Sequence, residues 1–137
     1  MTDSFGTVEL LDPARCVELL STVTVGRVVF TRLAMPAVRP VRYVVRDDAV
    51  WFRVPDSDVS LAGALDTVMG FTADDATPHE PASWSVTALG RTSEVRDRRL
   101  LDDLARLLPS THGPADDRYV RLLIESVTGR YTMPAPQ

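Results

Sequence analysis

Three runs rich in valine and aromatic residues, TVGRVVFTR (24–32), PAVRPVRYVV (36–45) and AVWFRV (49–54), follow one another with only short, turn-prone pieces between them. Branched and aromatic side chains suit a pleated, half-buried surface, and the RDD link at residues 46–48 has hairpin composition. This succession predicts an antiparallel meander. Whatever else the chain does must be built around that sheet.

The remaining strands and helices fit beside it. TVMGFTAD (67–74) and WSVTALGRTSEV (84–95) read as strands, and RYVRLLIESVTGRYTM (118–133) reads as one final strand of alternating character. In LDPARCVELLST, Asp12 is placed to cap a helix with Pro13 at its first position, and Cys16, Leu19, Leu20 and Val23 share one face. DVSLAGALD (58–66) carries Val59, Ala62 and Leu65 at helical spacing, with Ser57 or Asp58 as cap, so a short helix is expected despite Gly63. DRRLLDDLARLL (97–108) has an apolar stripe of Leu100, Leu101, Leu104, Leu107 and Leu108 opposite a solvated charged face. Its i,i+4 pairs, such as Arg98 with Asp102 and Arg99 with Asp103, are worth only about 0.3 kcal/mol each. DATPHEPAS (75–83) and PSTHGPADD (109–117) are loops by their prolines and acids, and PAPQ is a frayed tail. About six strands with two or three short helices, and no regular strand–helix alternation, predict a mainly β (α+β) fold: an antiparallel barrel with peripheral helices.

A chain of 137 residues is expected to be a single domain, 1–137, with a core spanning about 9–133. The net charge of −4 argues against nucleic acid as a partner, because binding phosphate backbones needs a clustered basic face. All 15 basic residues are arginine, which excludes a lysine Schiff base and a Walker-type phosphate lysine. The lone Cys16 suits a reducing cytoplasm and sits on an apolar helical face, where a thiol behaves as a small hydrophobe. No signal-peptide pattern and no apolar run of about 20 residues is present, so neither export nor membrane insertion is expected. His79 and His112 lie in polar, proline-flanked loops without ligand spacing, so no metal site is expected.

Three Gly-Arg pairs, Gly26-Arg27, Gly90-Arg91 and Gly129-Arg130, recur on the strands, in order with CVELLSTVTVGRVVFTR, PAVRPVRYVV, VWFRV, SWSVTALGRTSEV and VTGRYT. In this ordered set the chain resembles the pyridoxamine phosphate oxidase-like FMN-binding split-barrel proteins, most nearly their small actinobacterial members, over residues 9–133. The resemblance implies a six-stranded split barrel and a homodimer with cofactor sites at the interface. It also implies FMN or a deazaflavin as cofactor, and oxidoreductase activity on a small organic molecule. By the same resemblance Arg53, Val54, Ser57 and Ser60 fall at the phosphate, Pro40, Val41 and Arg42 at the ring edge, and Trp84 of the other subunit beside the ring. The match at the phosphate is partial. Val54 stands where a hydroxyl is expected, Ser60 falls where a cation is expected, and Asp56 and Asp58 add negative charge. Like charges near an anion cost on the order of 1–4 kcal/mol at surface-like dielectric.

Each of these residues also has a structural reading: Arg53 as an outward arginine on an alternating strand, Trp84 as a barrel or interface tryptophan, the Gly-Arg arginines as interface ion pairs, and the glycines as strand bends or close approaches. A second functional reading follows from the weakened phosphate grip. It is a cofactor-free descendant that binds or rearranges a small molecule, with Asp56, Asp58, Tyr43 and Glu80 as acid–base candidates. A haem-binding module has no histidine on an element that would fix an axial ligand. No catalytic residue is assigned from sequence.

Overall fold

The structure, a computed structural model, describes residues 7–110 and 117–133. In chain order the elements are β1 (Thr7–Leu10), α1 (Pro13–Leu20), β2 (Val25–Arg32), β3 (Met35–Arg46), β4 (Ala49–Pro55), α2 (Val59–Ala62), β5 (Val68–Asp74), β6 (Trp84–Glu94), α3 (Arg98–Leu107), β7 (Asp117–Leu123) and β8 (Ser126–Met133). The meander forms where the three runs predict it. Arg32 pairs with Met35 and Arg46 with Ala49, so two-residue turns join β2 to β3 and β3 to β4. Both turns need positive φ at both central residues, as tight hairpins do. Asp47 and Asp48 supply it at 53° and 57°, and Leu33 and Ala34 at 52° and 64°. Leu33 and Ala34 carry no turn signal, which is why that link is visible in the sequence only through its brevity.

All pairings are antiparallel. Neighbouring strands run β6, β5, β2, β3, β4, β7, and β7 returns to β6, which closes a six-stranded barrel; β8 and β1 extend it along the other part of β6. The single final strand expected over residues 118–133 is instead divided at Ile124 and Glu125. Thr92 pairs with Leu122, but Leu89 pairs with Ser126, so the later strand carries one residue more than β6 across the break. This is a bulge. It bends the chain so that β7 lies against β4 and β8 against β1. β1 itself was not expected from the sequence, since TVEL is too short to show a period.

Even-numbered positions of β4, Val50, Phe52 and Val54, face the barrel interior with Val28, Phe71, Val86, Val120 and Leu122. Ala49 and Trp51 face outward into a smaller cluster under α3 with Val95, Leu104, Leu108 and Tyr119. The stripe on α3 is narrower than predicted, because Leu100 and Leu107 remain 39% and 38% exposed. α1 lies against β8 with Cys16, Leu19 and Leu20 buried, and Asp12 caps it by accepting the Arg15 N–H. α2 is a single turn capped by Asp58.

Two of the three Gly-Arg glycines show how tightly the barrel closes. A Cβ on Gly90 would lie 1.4 Å from the Leu123 carbonyl oxygen, and one on Gly26 2.3 Å from the Phe71 ring. Both are close approaches, as their place in the strands suggests. On the outer surface Val38, Val29, Gly70 and Leu89 stand in register across β3, β2, β5 and β6, and the three side chains are exposed.

Candidate functional site

The barrel has a gap. β3 pairs with β4 only from Tyr43 to Arg46, whereas it pairs with β2 from Met35 to Arg42. Beyond Tyr43 and Phe52 the two central strands part, and a cavity of about 480 Å³ opens in the seam. This volume lies within the range of about 300–1,000 Å³ typical of small-molecule sites. β3 contributes Arg39 through Arg42, β4 contributes Arg53 and Pro55, and α2 closes the end with Asp58 and Leu61. A second cavity of about 250 Å³ lies on the α3 side of the same strands and shares Arg42 and Arg53 with the first.

Of the residues proposed from sequence, Pro40, Val41, Arg42 and Arg53 therefore meet at one cavity. The others do not line it. Val54 is fully buried on the opposite face of β4, so its side chain belongs to the barrel core. Ser57 is exposed in the turn before α2, and Ser60 is half-buried on α2. Trp84 is 7% exposed in the core of its own chain, where its N–H donates to Asp75. The sequence reading left Arg39 out of the candidate set, yet it lines the same cavity as Arg42, and Asp58, read from the sequence as a cap and as added negative charge, lines it too.

The charges around the cavity are arranged in pairs. Arg39 Nε lies 3.0 Å from Asp58 Oδ2, and the Arg39 guanidinium also stacks over the Phe30 ring. Asp58 Oδ1 accepts the Leu61 N–H, so the free N–H at the start of α2 is already satisfied by the chain's own carboxylate. Asp56 turns outward to Arg118 at 2.8 Å, and Arg118 reaches Glu94 at 3.3 Å. Both acids that threaten an anion are thus held by arginines. Arg53 Nε sits 3.3 Å from Asp117 Oδ2, a carboxylate 2% exposed, and its Nη1 donates to the Pro109 carbonyl at the end of α3. The Tyr119 hydroxyl donates to the neighbouring Leu108 carbonyl at 2.8 Å. Arg42 has no partner among the described residues. Arg39 and Arg53 are each paired with a carboxylate, and among the described residues Arg42 alone of the cavity's arginines is not.

The other acid–base candidates, Tyr43 and Glu80, do not line the larger cavity. Tyr43 is buried, its hydroxyl donates to the Leu20 carbonyl, and burial pushes its pKa up to about 12. It is a core tyrosine. Glu80 is exposed in the loop before β6, and Asp75 in that loop accepts from Ser83 N–H, Ser83 hydroxyl and Trp84 N–H. Burial opposes ionisation of Asp75, but these donors outweigh it and hold its carboxyl below the ordinary value. Among the described residues there is no cluster of histidine, cysteine and carboxylates fit for a metal, and no helix long and apolar enough to cross a membrane.

A closed six-stranded antiparallel barrel whose central strands part defines the split-barrel fold, here with an arginine-lined cavity in the seam. Residues 12–131 match the family described as pyridoxamine 5'-phosphate oxidase, and the chain belongs to that family. It is 37% identical over 124 residues to the uncharacterised protein Rv0080 of Mycobacterium tuberculosis, covering 87% of this chain and 82% of that one. Among solved structures it is similar to the FAD binding protein from Mycobacterium smegmatis, at 28% identity and a TM-score of 0.70 over 93% of this chain and all 100% of the other. An FAD-binding protein from Mesorhizobium loti shares the fold at 20% identity and a TM-score of 0.69, over 92% of this chain and 99% of that one.

Proposed function

We propose that this protein binds a flavin nucleotide in the seam cavity and acts with it as an oxidoreductase on a small organic molecule. The single observation that carries the reading is the cavity at the parting of β3 and β4, lined by Arg53 and by Arg42, which has no partner among the described residues. Family membership and the FAD-binding relative support it. The residues fit the group. An unpaired guanidinium suits a phosphate, because its planar fork makes paired, charge-assisted hydrogen bonds. Arg42 and Arg53 would hold the phosphate, and Pro40 and Val41 would lie along the ring edge. A bound flavin supplies hydride transfer. The chain's own part is to hold the phosphate, orient the ring and exclude water from one side of it.

Arg53 is positioned for this work by groups outside the cavity. Asp117 and the carbonyl end of α3 fix its guanidinium between the two cavities, so little rotamer freedom is left to lose on binding. The exposed row of Val38, Val29 and Leu89 supports a homodimer formed through the outer faces of β3, β2, β5 and β6, since an apolar patch of this kind marks an interaction surface. A cytoplasmic location is in keeping with the buried, unbridged Cys16.

One observation favours a cofactor-free reading: Asp58 occupies the start of α2 and Arg53 already has internal partners. The same experiment decides between the two. Purified protein is titrated with FMN and with FAD and followed by visible absorbance and flavin fluorescence. Saturable binding of either flavin, lost in Arg53→Ala while the circular dichroism spectrum stays native, supports the flavin reading. No binding of either at high micromolar concentration overturns it.

A further inference from the structure

Among the described residues that line the seam cavity, Asp58 is the one carboxylate, set against Arg39, Arg42 and Arg53. Both of its oxygens are in use. Oδ2 accepts from Arg39 Nε at 3.0 Å, and Oδ1 accepts the Leu61 N–H at 3.1 Å. A guanidinium and main-chain N–H groups are the donors that phosphate oxygens take as partners. The Asp58 carboxylate thus sits as the oxygens of a bound anion would, yet it belongs to the chain.

Both members of the pair are fixed by other contacts. Arg39 Nη1 donates to the Val38 carbonyl at 3.1 Å, and its guanidinium lies 5.6 Å from the centre of the Phe30 ring. The Asp58 N–H donates to the Pro55 carbonyl and its own carbonyl accepts the Ala62 N–H, each at 3.0 Å. The Asp58 side chain is only 19% exposed, so water and salt screen its charge in part. Swinging the carboxylate aside would uncap α2 and break the Arg39 contact together, so an entering ligand meets that charge in place. Asp56, two residues earlier, turns away to Arg118 and does not line the cavity.

The geometry points to Asp58 as the residue that sets the seam's preference between phosphorylated and unphosphorylated ligands. It acts as an internal competitor: it engages Arg39 and repels an anionic end group, so a ligand's phosphate adds less to binding than the arginines alone would give. This rests on the flavin reading above for its ligand and goes further, in assigning that selection to a single side chain.

Dissociation constants for FMN and for riboflavin, which has the same ring and no phosphate, are measured by flavin fluorescence on the full chain as wild type, Asp58→Asn and Asp56→Asn. Inorganic phosphate is titrated into each by calorimetry. Asparagine caps a helix as well as aspartate does, so Asp58→Asn keeps the Leu61 contact and removes the charge. The expected result is a preference for FMN over riboflavin that rises about tenfold or more in Asp58→Asn, through tighter FMN binding alone, and stays within about twofold of wild type in Asp56→Asn. An unchanged preference in Asp58→Asn overturns the assignment and leaves the flavin reading standing. An equal rise in Asp56→Asn also overturns it, since net charge would then be the cause. If none of the three proteins binds either flavin, the flavin reading falls and the phosphate titration decides: tighter phosphate binding by Asp58→Asn alone upholds the competitor, and the same affinity or none in all three overturns it.

Discussion

Gly90→Ala is expected to be among the most damaging single-methyl additions in the chain. Gly90 lies where β6 passes from β8 to β7, opposite the bulge at Ile124 and Glu125. The added Cβ would lie 1.4 Å from the Leu123 carbonyl oxygen and 2.6 Å from its carbon. These are backbone atoms, so no rotamer change relieves the contact; one strand has to move by about 2 Å to reach van der Waals distance. Thr92, Ser93 and Glu94 pair with β7 immediately beyond, and that short ladder closes the barrel. Overpacking costs about 1–3 kcal/mol or more, and each ladder hydrogen bond lost adds about 1 kcal/mol, so the variant should lose about 3–5 kcal/mol. With an unfolding entropy of about 0.3 kcal/mol/K for a chain of 137 residues, Tm should fall by about 10–17 °C. The control is Gly70→Ala, whose nearest neighbours would be at 3.5 Å, an ordinary contact, and which should change stability by less than about 1 kcal/mol. Denaturant titration and thermal melts on both variants measure the difference. A Gly90→Ala protein within about 1 kcal/mol of wild type would mean that β6 and β7 do not close the barrel in this way.

Three further outcomes follow from the same packing. Replacing Leu33-Ala34 by Asn-Gly should raise stability by about 1–2 kcal/mol, because both residues hold a left-handed φ that Asn and Gly adopt at lower cost; an unchanged or lower denaturation midpoint would contradict it. Tyr43 has its pKa raised from 10.0 to about 12 by burial, so the fold favours its neutral form. Its contribution is complete below pH 10.0 and is lost as pH rises toward about 12, and Tyr43→Phe should remove that part of the alkaline loss in melts taken across the window. Asp75 has its pKa lowered, so its contribution is present above 3.8 and is lost as pH falls through the folded value. Asp75→Asn should therefore cost about 1 kcal/mol at neutral pH, with the gap to wild type closing in acid; a gap constant with pH would show that the carboxylate charge is not what holds Ser83 and Trp84.

The strands were legible because valine-rich runs with short links leave few other choices, and β2, β3 and β4 fall within a residue or two of the expected bounds. The division of the last strand was hidden because an extra residue in a bulge interrupts the register without interrupting the apolar pattern. The site was legible in part. The order of motifs named Pro40 to Arg42 and Arg53, which line one cavity, but which arginines are already engaged depends on partners remote in sequence: Asp117 for Arg53, Asp58 for Arg39, Arg118 for Asp56. That the Val54 side chain faces away from the cavity could not be told from composition alone. The alternation along β4 sends Arg53 outward and Val54 inward, and only the observed face of the barrel says which side holds the cavity.

The cavity exists because a ladder stops early, and this sets how such a protein can change. From Pro40 to Arg42, β3 has β2 on one side and, among the described residues, no strand on the other, so a guest would meet main chain there as well as side chains. Main-chain groups persist through substitution. A barrel of this kind can trade one guest for another by altering the few side chains at the rim while the hydrogen-bonded frame goes on holding the gap open.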